Sequence, residues 1–283
     1  MRTYLIILLI SSCTGNEPPI DYDSTFGEPV VMGELRGAMM DEVSGMVASA
    51  AHPGHYWIHN DSGHAAELFL IDSTGLAKAV FDLPDITNRD FEDIARRGDT
   101  LFLADIGDNR AVHSEIRIYT FLEPKNAVSG NLTPNGIYRM QYPDGPRDAE
   151  TLIVDPITGD WYIITKREQN VRLYRYPSPQ SRSGTYTLER VPGEFPVTKI
   201  VAGDIRTDGS EVLLKTYKSV FLYRRVGNES LSVTLMRPGL RQPYDEEPQG
   251  EALAFTIRED GYVTTTERDG GKPQWLKYYP RNN

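Results

Sequence analysis

One heading recurs five times along the chain, and its spacing restricts the fold more than any other feature. It is a short polar or small group followed at once by an apolar run and a turn. The copies are "VSGMVAS" from Val43, "FEDIARRGD" from Phe91, "AETLIVDPITGD" from Ala149, "AGDIRTDGS" from Ala202 and "GEALAFTIREDG" from Gly250. Their second residues are Ser44, Glu92, Glu150, Gly203 and Glu251, at intervals of 48, 58, 53 and 48 residues. Each interval holds about four strand-like segments, the content of one propeller blade. Segments such as "HYWIHN", "TLFLADI" and "DWYIITK" are rich in β-branched and aromatic residues, and turn chemistry such as Asp61-Ser62-Gly63 and Asp260-Gly261 bounds them. The spacing predicts an all-β chain folded as a single five-bladed β-propeller over 26–283, without a domain boundary. The last repeat offers only three strands, at 251–257, 261–267 and 274–280, so "GEPVVMGEL", 27–35, is expected to supply the fourth and close the ring. A double β-sandwich is the alternative; a sixth blade would need a sixth heading.

The chain has 283 residues, 39% of them hydrophobic, enough for a core of this size. Its formal charge is −10, which argues against a sequence-independent grip on nucleic acid or an anionic bilayer. The lone cysteine, Cys13, rules out a disulfide within one chain and a cysteine-based zinc site. Its position is informative. One basic residue, an apolar run from Tyr4 to Ile10 and two small residues precede it, in the pattern of a short signal peptide. The run is too short to span a bilayer as a helix. "ISSC" resembles the bacterial lipobox, which implies a signal peptide at 1–12, a lipid on Cys13 and a polar tether over 13–25. The expectation is an exported, lipid-anchored monomer, touching the membrane through the anchor alone.

In a propeller the inner strands line an axial channel, so the headings are expected to converge there. Carboxylates gathered on one axis need either protons or a cation. A hard cation such as Ca²⁺ takes six to eight oxygens, which Ser44, Glu92, Glu150 and Glu251 would supply, with Asp204 standing in beside Gly203. Alternatively, arginines such as Arg89, Arg147 and Arg206 pair with the glutamates, or an open channel hydrates them. No histidine falls at a heading, which disfavours zinc.

The second strand of each repeat returns to the channel mouth, and every one ends in polar or charged residues. Asn60 and Asp61, then Asp105 and Asp108, form an expected acidic side. Lys166, Arg167 and Lys215 form a cationic side, and Glu267 and Arg268 complete the rim. That division suits an anionic ligand, such as a phosphate, beside a metal. Walker, dinucleotide, His-Glu-x-x-His and Gly-x-Ser-x-Gly motifs do not occur. The five histidines show no ligand spacing and read as solvated or core residues.

"HNDSG", "DFEDIA", "ADIGDN", "YPDGPRDAE" and "LLKTYKSVFLY", spread over 42–225, together resemble a family of uncharacterised bacterial exported propeller proteins. The headings are also similar to those of the calcium-activated nucleotidases, or soluble apyrases, whose five blades carry Ser, Glu, Glu, Ser and Glu around a central Ca²⁺. Ser44, Glu92, Glu150 and Glu251 match that order and Gly203 departs from it. The resemblance implies five blades and a calcium ion.

Two functions follow as expectations. One is a non-catalytic binding module for an anionic small molecule, a glycan or a protein. The other is a Ca²⁺-dependent hydrolase of a phosphorylated small molecule, with Lys166, Arg167 and Lys215 on the phosphate and Asp61, Asp105 or Glu267 as general base. The sequence leaves catalysis open.

Overall fold

The computed structural model describes residues 25–282 apart from Glu194 and Pro196. Cys13, the signal segment and all but the last residue of the tether lie outside the described residues.

Five antiparallel sheets follow one another along the chain as the blades of a single propeller. Strands Val43–Ala48, His55–Asn60, Glu67–Asp72 and Ala77–Asp82 make the first blade. The second has Phe91–Arg97, Thr100–Asp105, Ile116–Leu122 and Gly136–Gln141. The third has Ala149–Val154, Trp161–Thr165, Leu173–Tyr176 and the short Glu189–Arg190. Ile200–Ile205, Glu211–Thr216, Val220–Arg224 and Leu240–Gln242 make the fourth. The fifth joins Ala252–Phe255, Gly261–Thr265 and Trp275–Pro280 to Val30–Glu34 from the start of the domain. Two short strands strap neighbouring blades together: Gly130–Asn131 runs parallel to the edge of the first blade, and Thr185–Thr187 parallel to the edge of the second. The one helix among the described residues, Leu231–Leu235, is too short to cross a membrane.

The strands read as apolar on both faces because each blade is sandwiched between two others. Leu101 and Leu103 point into the apolar cluster shared with the first blade, while Phe102 and Ala104 point into the one shared with the third. Trp161 and Ile163 alternate in the same way with Tyr162 and Ile164. This period-2 division sends one set of side chains to each interface. One such cluster fills each of the five interfaces.

Closure by the N-terminal strand is as the spacing predicts. Val30 pairs with Tyr278 and Glu34 with Trp275, antiparallel. Phe26 is buried ahead of this strand, its ring 4.9 Å from that of Tyr262 and edge-on to it. The strand passes tightly against the first blade, and a Cβ on Gly33 would overlap the backbone of Thr74.

A register shift near the start of the inner strand sets up the channel. In the first three blades the ladder skips one residue, between Val43 and Gly45, Phe91 and Asp93, and Ala149 and Thr151. The skipped residues are Ser44, Glu92 and Glu150, each set out of the ladder as a bulge. In the fifth blade Glu251 stands just before the first paired residue, Ala252. In the fourth blade the skip falls between Ile200 and Ala202, so the corresponding residue is Val201. The heading alignment at Gly203 is therefore two residues out of register.

Candidate functional site

Glu92, Glu150 and Glu251 come from three different blades and are 2%, 3% and 5% exposed. One carboxylate oxygen from each lies within 4.8 Å of the others. Ser44 joins this group, its Oγ donating to the Glu92 backbone carbonyl at 3.0 Å and to Glu92 Oε2 at 3.2 Å. The axial convergence expected of the headings is present for these four residues.

At the skipped position of its inner strand the fourth blade has the apolar Val201, so it adds no carboxylate there. Asp204 is turned away: its two carboxylate oxygens accept the backbone N–H groups of Ile205 and of Phe255 on the next blade, both at 2.8 Å. Burial pushes its pKa up to about 7. Asp93 bridges the second and third blades in the same manner, through the N–H groups of Ile94 and Leu152 at 2.8 Å. Both are inter-blade fasteners, and neither Asp204 nor Gly203 belongs to the ring.

The cation among the glutamates is a lysine. Lys166 Nζ donates to Glu150 Oε1 and stands 3.2 Å from Glu251 Oε1. Tyr217 Oη also donates to Glu251 Oε1. Burial works against the charge on Lys166, but Glu150 and Glu251 overcome this and raise its pKa. The arginines considered as partners are engaged elsewhere: Arg89 beside Asp105, Arg147 with Asp144 and Glu168, and Arg206 with Glu259. Burial first, and then the neighbouring carboxylates, raise the pKa values of Glu92 and Glu150 well above the usual range. Glu150 Oε2 is buried without a hydrogen-bond partner.

Next to the ring lies a second acidic group. Asp61, Asp90 and Glu92 also bring one oxygen each within 4.8 Å of one another. Asp90 Oδ1 is buried and unpartnered. Gly107 is the residue that leaves room for this, since a Cβ there would overlap both Glu92 Oε1 and the Asp90 carboxylate. Burial raises Asp61 to about 7, helped by Asp90 and Glu251 against the opposing Ser62 N–H. Burial, Glu251 and Asp61 likewise raise Glu267 to about 8.

The rim residues divide into two kinds. Asn60, Asp105 and Asp108 hold the loops. Asn60 Nδ2 donates to the Met39 carbonyl at 2.9 Å, Asp105 Oδ1 accepts the Asp90 N–H at 3.0 Å, and Asp108 Oδ2 accepts the His113 N–H at 2.7 Å. Asp61, Glu267 and the half-exposed Arg167 and Arg268 remain toward the mouth. Arg167 is paired with Asp148, and Arg268 with Asp41 at 2.6 Å.

Lys215 departs from the expected cationic side. It is fully buried between the fourth and fifth blades, donating to the Gly250 carbonyl, with Glu247 Oε2 at 3.7 Å and the Tyr244 ring at 5.1 Å. Burial lowers its pKa to about 8 despite Glu247. With Lys166 in the ring and Lys215 beneath the surface, the expected cationic side is reduced to Arg167, which is paired with Asp148. His59 is a core residue, and burial lowers its pKa to about 4.

Asp90 escaped the sequence reading, though a signal existed. Glu42, Asp90 and Asp148 stand two residues before Ser44, Glu92 and Glu150.

The fold and the axial site define a five-bladed propeller with a buried carboxylate ring. No family model matches the sequence, and no curated protein does. Among solved structures, the chain is similar to an auxiliary nutrient binding protein from Bacteroides thetaiotaomicron, at 8% identity and a TM-score of 0.51. The match covers 89% of this chain and 76% of that one, and at this identity it establishes the fold alone. The likeness to calcium-activated nucleotidases rests on the headings only.

Proposed function

We propose that this is a non-catalytic binding propeller, exported and tethered through Cys13, that holds a hard divalent cation, Ca²⁺, at its axis and takes a small molecule on the face around it. The observation that carries the cation is the ring. Three buried carboxylates from three blades meet one lysine, and Glu150 Oε2 has no partner. With the glutamates ionised, three negative charges and one positive leave −2, the charge one divalent cation neutralises. Oxygens within 4.8 Å of one another lie close to the reach of a single ion with metal–oxygen distances of about 2.3–2.6 Å, so small side-chain shifts bring them onto it. The donors are hard carboxylates and a hydroxyl, which suit calcium and not zinc. The description of the solved neighbour as a nutrient binding protein supports the binding reading.

Hydrolysis is the second reading, and Asp61 favours it. A carboxyl held at about 7 beside an acidic cluster is poised for proton transfer. Against it, Lys166 and Arg167 are each bound to a carboxylate and Lys215 is buried, so none of these three is free to hold a phosphate. Calorimetric titration with CaCl₂, followed by a screen of nucleotides and phosphoesters on the calcium-loaded protein, separates the readings. Calcium binding without turnover is expected. Turnover that depends on Asp61 would establish the hydrolase, and the absence of calcium binding would remove the axial ion.

A further inference from the structure

Beside Glu267, at the start of the outer half of the fifth blade, lies a cavity of about 200 Å³ that the axial ring does not use. Trp275 forms one wall, with Pro248 and Pro273 adding apolar faces. Of the three tryptophans in the chain, Trp57 and Trp161 are buried in the core, while Trp275 is 40% exposed. The polar groups around it are already matched. Lys272 lies 2.7 Å from Asp269, and Lys277 lies 2.7 Å from Asp245 and 3.9 Å from Glu247.

We propose that this cavity binds a single neutral sugar ring. A charged ligand would have to compete with these pairs for its counter-charge. A neutral polyhydroxyl ligand instead uses the lone pairs and N–H groups that the pairs leave over. Its C–H face covers the indole of Trp275, an arrangement that combines apolar contact with polar edges. Glu267, on the inner wall and accepting from Gln249 Nε2 at 2.9 Å, offers further carboxyl lone pairs to a sugar hydroxyl. The cavity, about 200 Å³, is on the scale of one sugar ring rather than a chain.

The inference rests on the reading of the protein as a binding propeller, but not on the axial calcium, and the two fail separately. With Trp57 and Trp161 buried, acrylamide quenching of tryptophan fluorescence reports chiefly on Trp275. The test titrates the protein, in calcium and in chelator, with glucose, galactose, mannose, xylose, N-acetylglucosamine and their disaccharides. At least one should give saturable protection from quenching in both conditions. Calorimetry should show that binding lost in Trp275→Ala, with circular dichroism confirming the fold. The exposed Lys272→Ala should weaken it roughly tenfold while leaving the reporter intact. Protection by none of these sugars, undiminished affinity in Trp275→Ala, or tighter binding of sugar phosphates or free amino acids would overturn the assignment.

Discussion

Lys166, on the third blade, donates to Glu150 of its own blade and stands 3.2 Å from Glu251 of the fifth. Its ammonium is the charge that keeps two of the three converging glutamates from facing each other unscreened. In the proposed site the lysine and the calcium ion would share one charge balance. Lys166→Met should destabilise the calcium-free protein by about 3–5 kcal/mol, the scale for breaking a buried ion pair from one side. Calcium should recover a larger share of that loss than it adds to the wild type, which denaturant titration at both calcium levels would show. Equal losses with and without calcium would mean that the lysine alone balances the ring.

The carboxyls at the mouth give stability a pH dependence of definite sign. Asp61 and Glu267 are raised to about 7 and about 8, from ordinary values near about 4 in an unfolded chain. The folded state thus binds more protons than the unfolded one. The stability this confers is fully present below about pH 4 and is lost as pH rises through 7 to 8. In chelator the melting temperature should fall across that window, and Glu267→Gln should flatten the fall. The proposed axial calcium would bind more tightly as these neighbouring carboxyls ionise, so its affinity should rise over the same range. A chelated melt that stays level, or climbs, between pH 5 and 8 would contradict these proton positions.

Closure of the ring depends on a few residues far from the last blade in sequence. Phe26 is buried at 1% exposure, against Tyr262 and under the Arg281 guanidinium. Phe26→Ala should cost about 3–5 kcal/mol, measured by chemical denaturation, because the cavity opens at the joint between chain ends. Deleting 26–36 should be worse, exposing the edge of the Trp275–Pro280 strand. An unchanged melting temperature in either variant would show that the joint carries little of the stability.

Anchoring rests on the sequence pattern alone. Cys13→Ser should move the protein from the membrane fraction to the soluble extracytoplasmic fraction. Retention of the variant in the membrane would refute lipid attachment at Cys13.

Much of the architecture was legible in the chain because a propeller repeats its chemistry. Glu92, Glu150 and Glu251 marked inner strands at regular spacing, and the missing outer strand of the last repeat pointed to 27–35. The fourth blade was misread by two residues, since Gly203-Asp204 looks like a heading and Val201 does not. A ladder bulge, invisible in sequence, decides that register. Lys215 and Lys166 show the same limit from another side. Both end second strands, yet one is buried between blades and the other leans into the axis. Which way a long side chain turns depends on packing between blades, and short-range pattern carries none of that. Asp90 was within reach, because an acid immediately before the heading recurs in three blades.

The axial cation is tested by thermal melts of the wild-type protein in excess calcium and in chelator, with elemental analysis of the purified sample. A metal that binds only the folded state adds about 2.7 kcal/mol at a hundredfold excess over its dissociation constant. The ring of Glu92, Glu150 and Glu251 predicts a clear upward shift with calcium, reversed by chelator and weakened in Glu150→Gln. Superimposable melts and a sample free of bound metal would contradict it and leave Lys166 as the sole counter-charge.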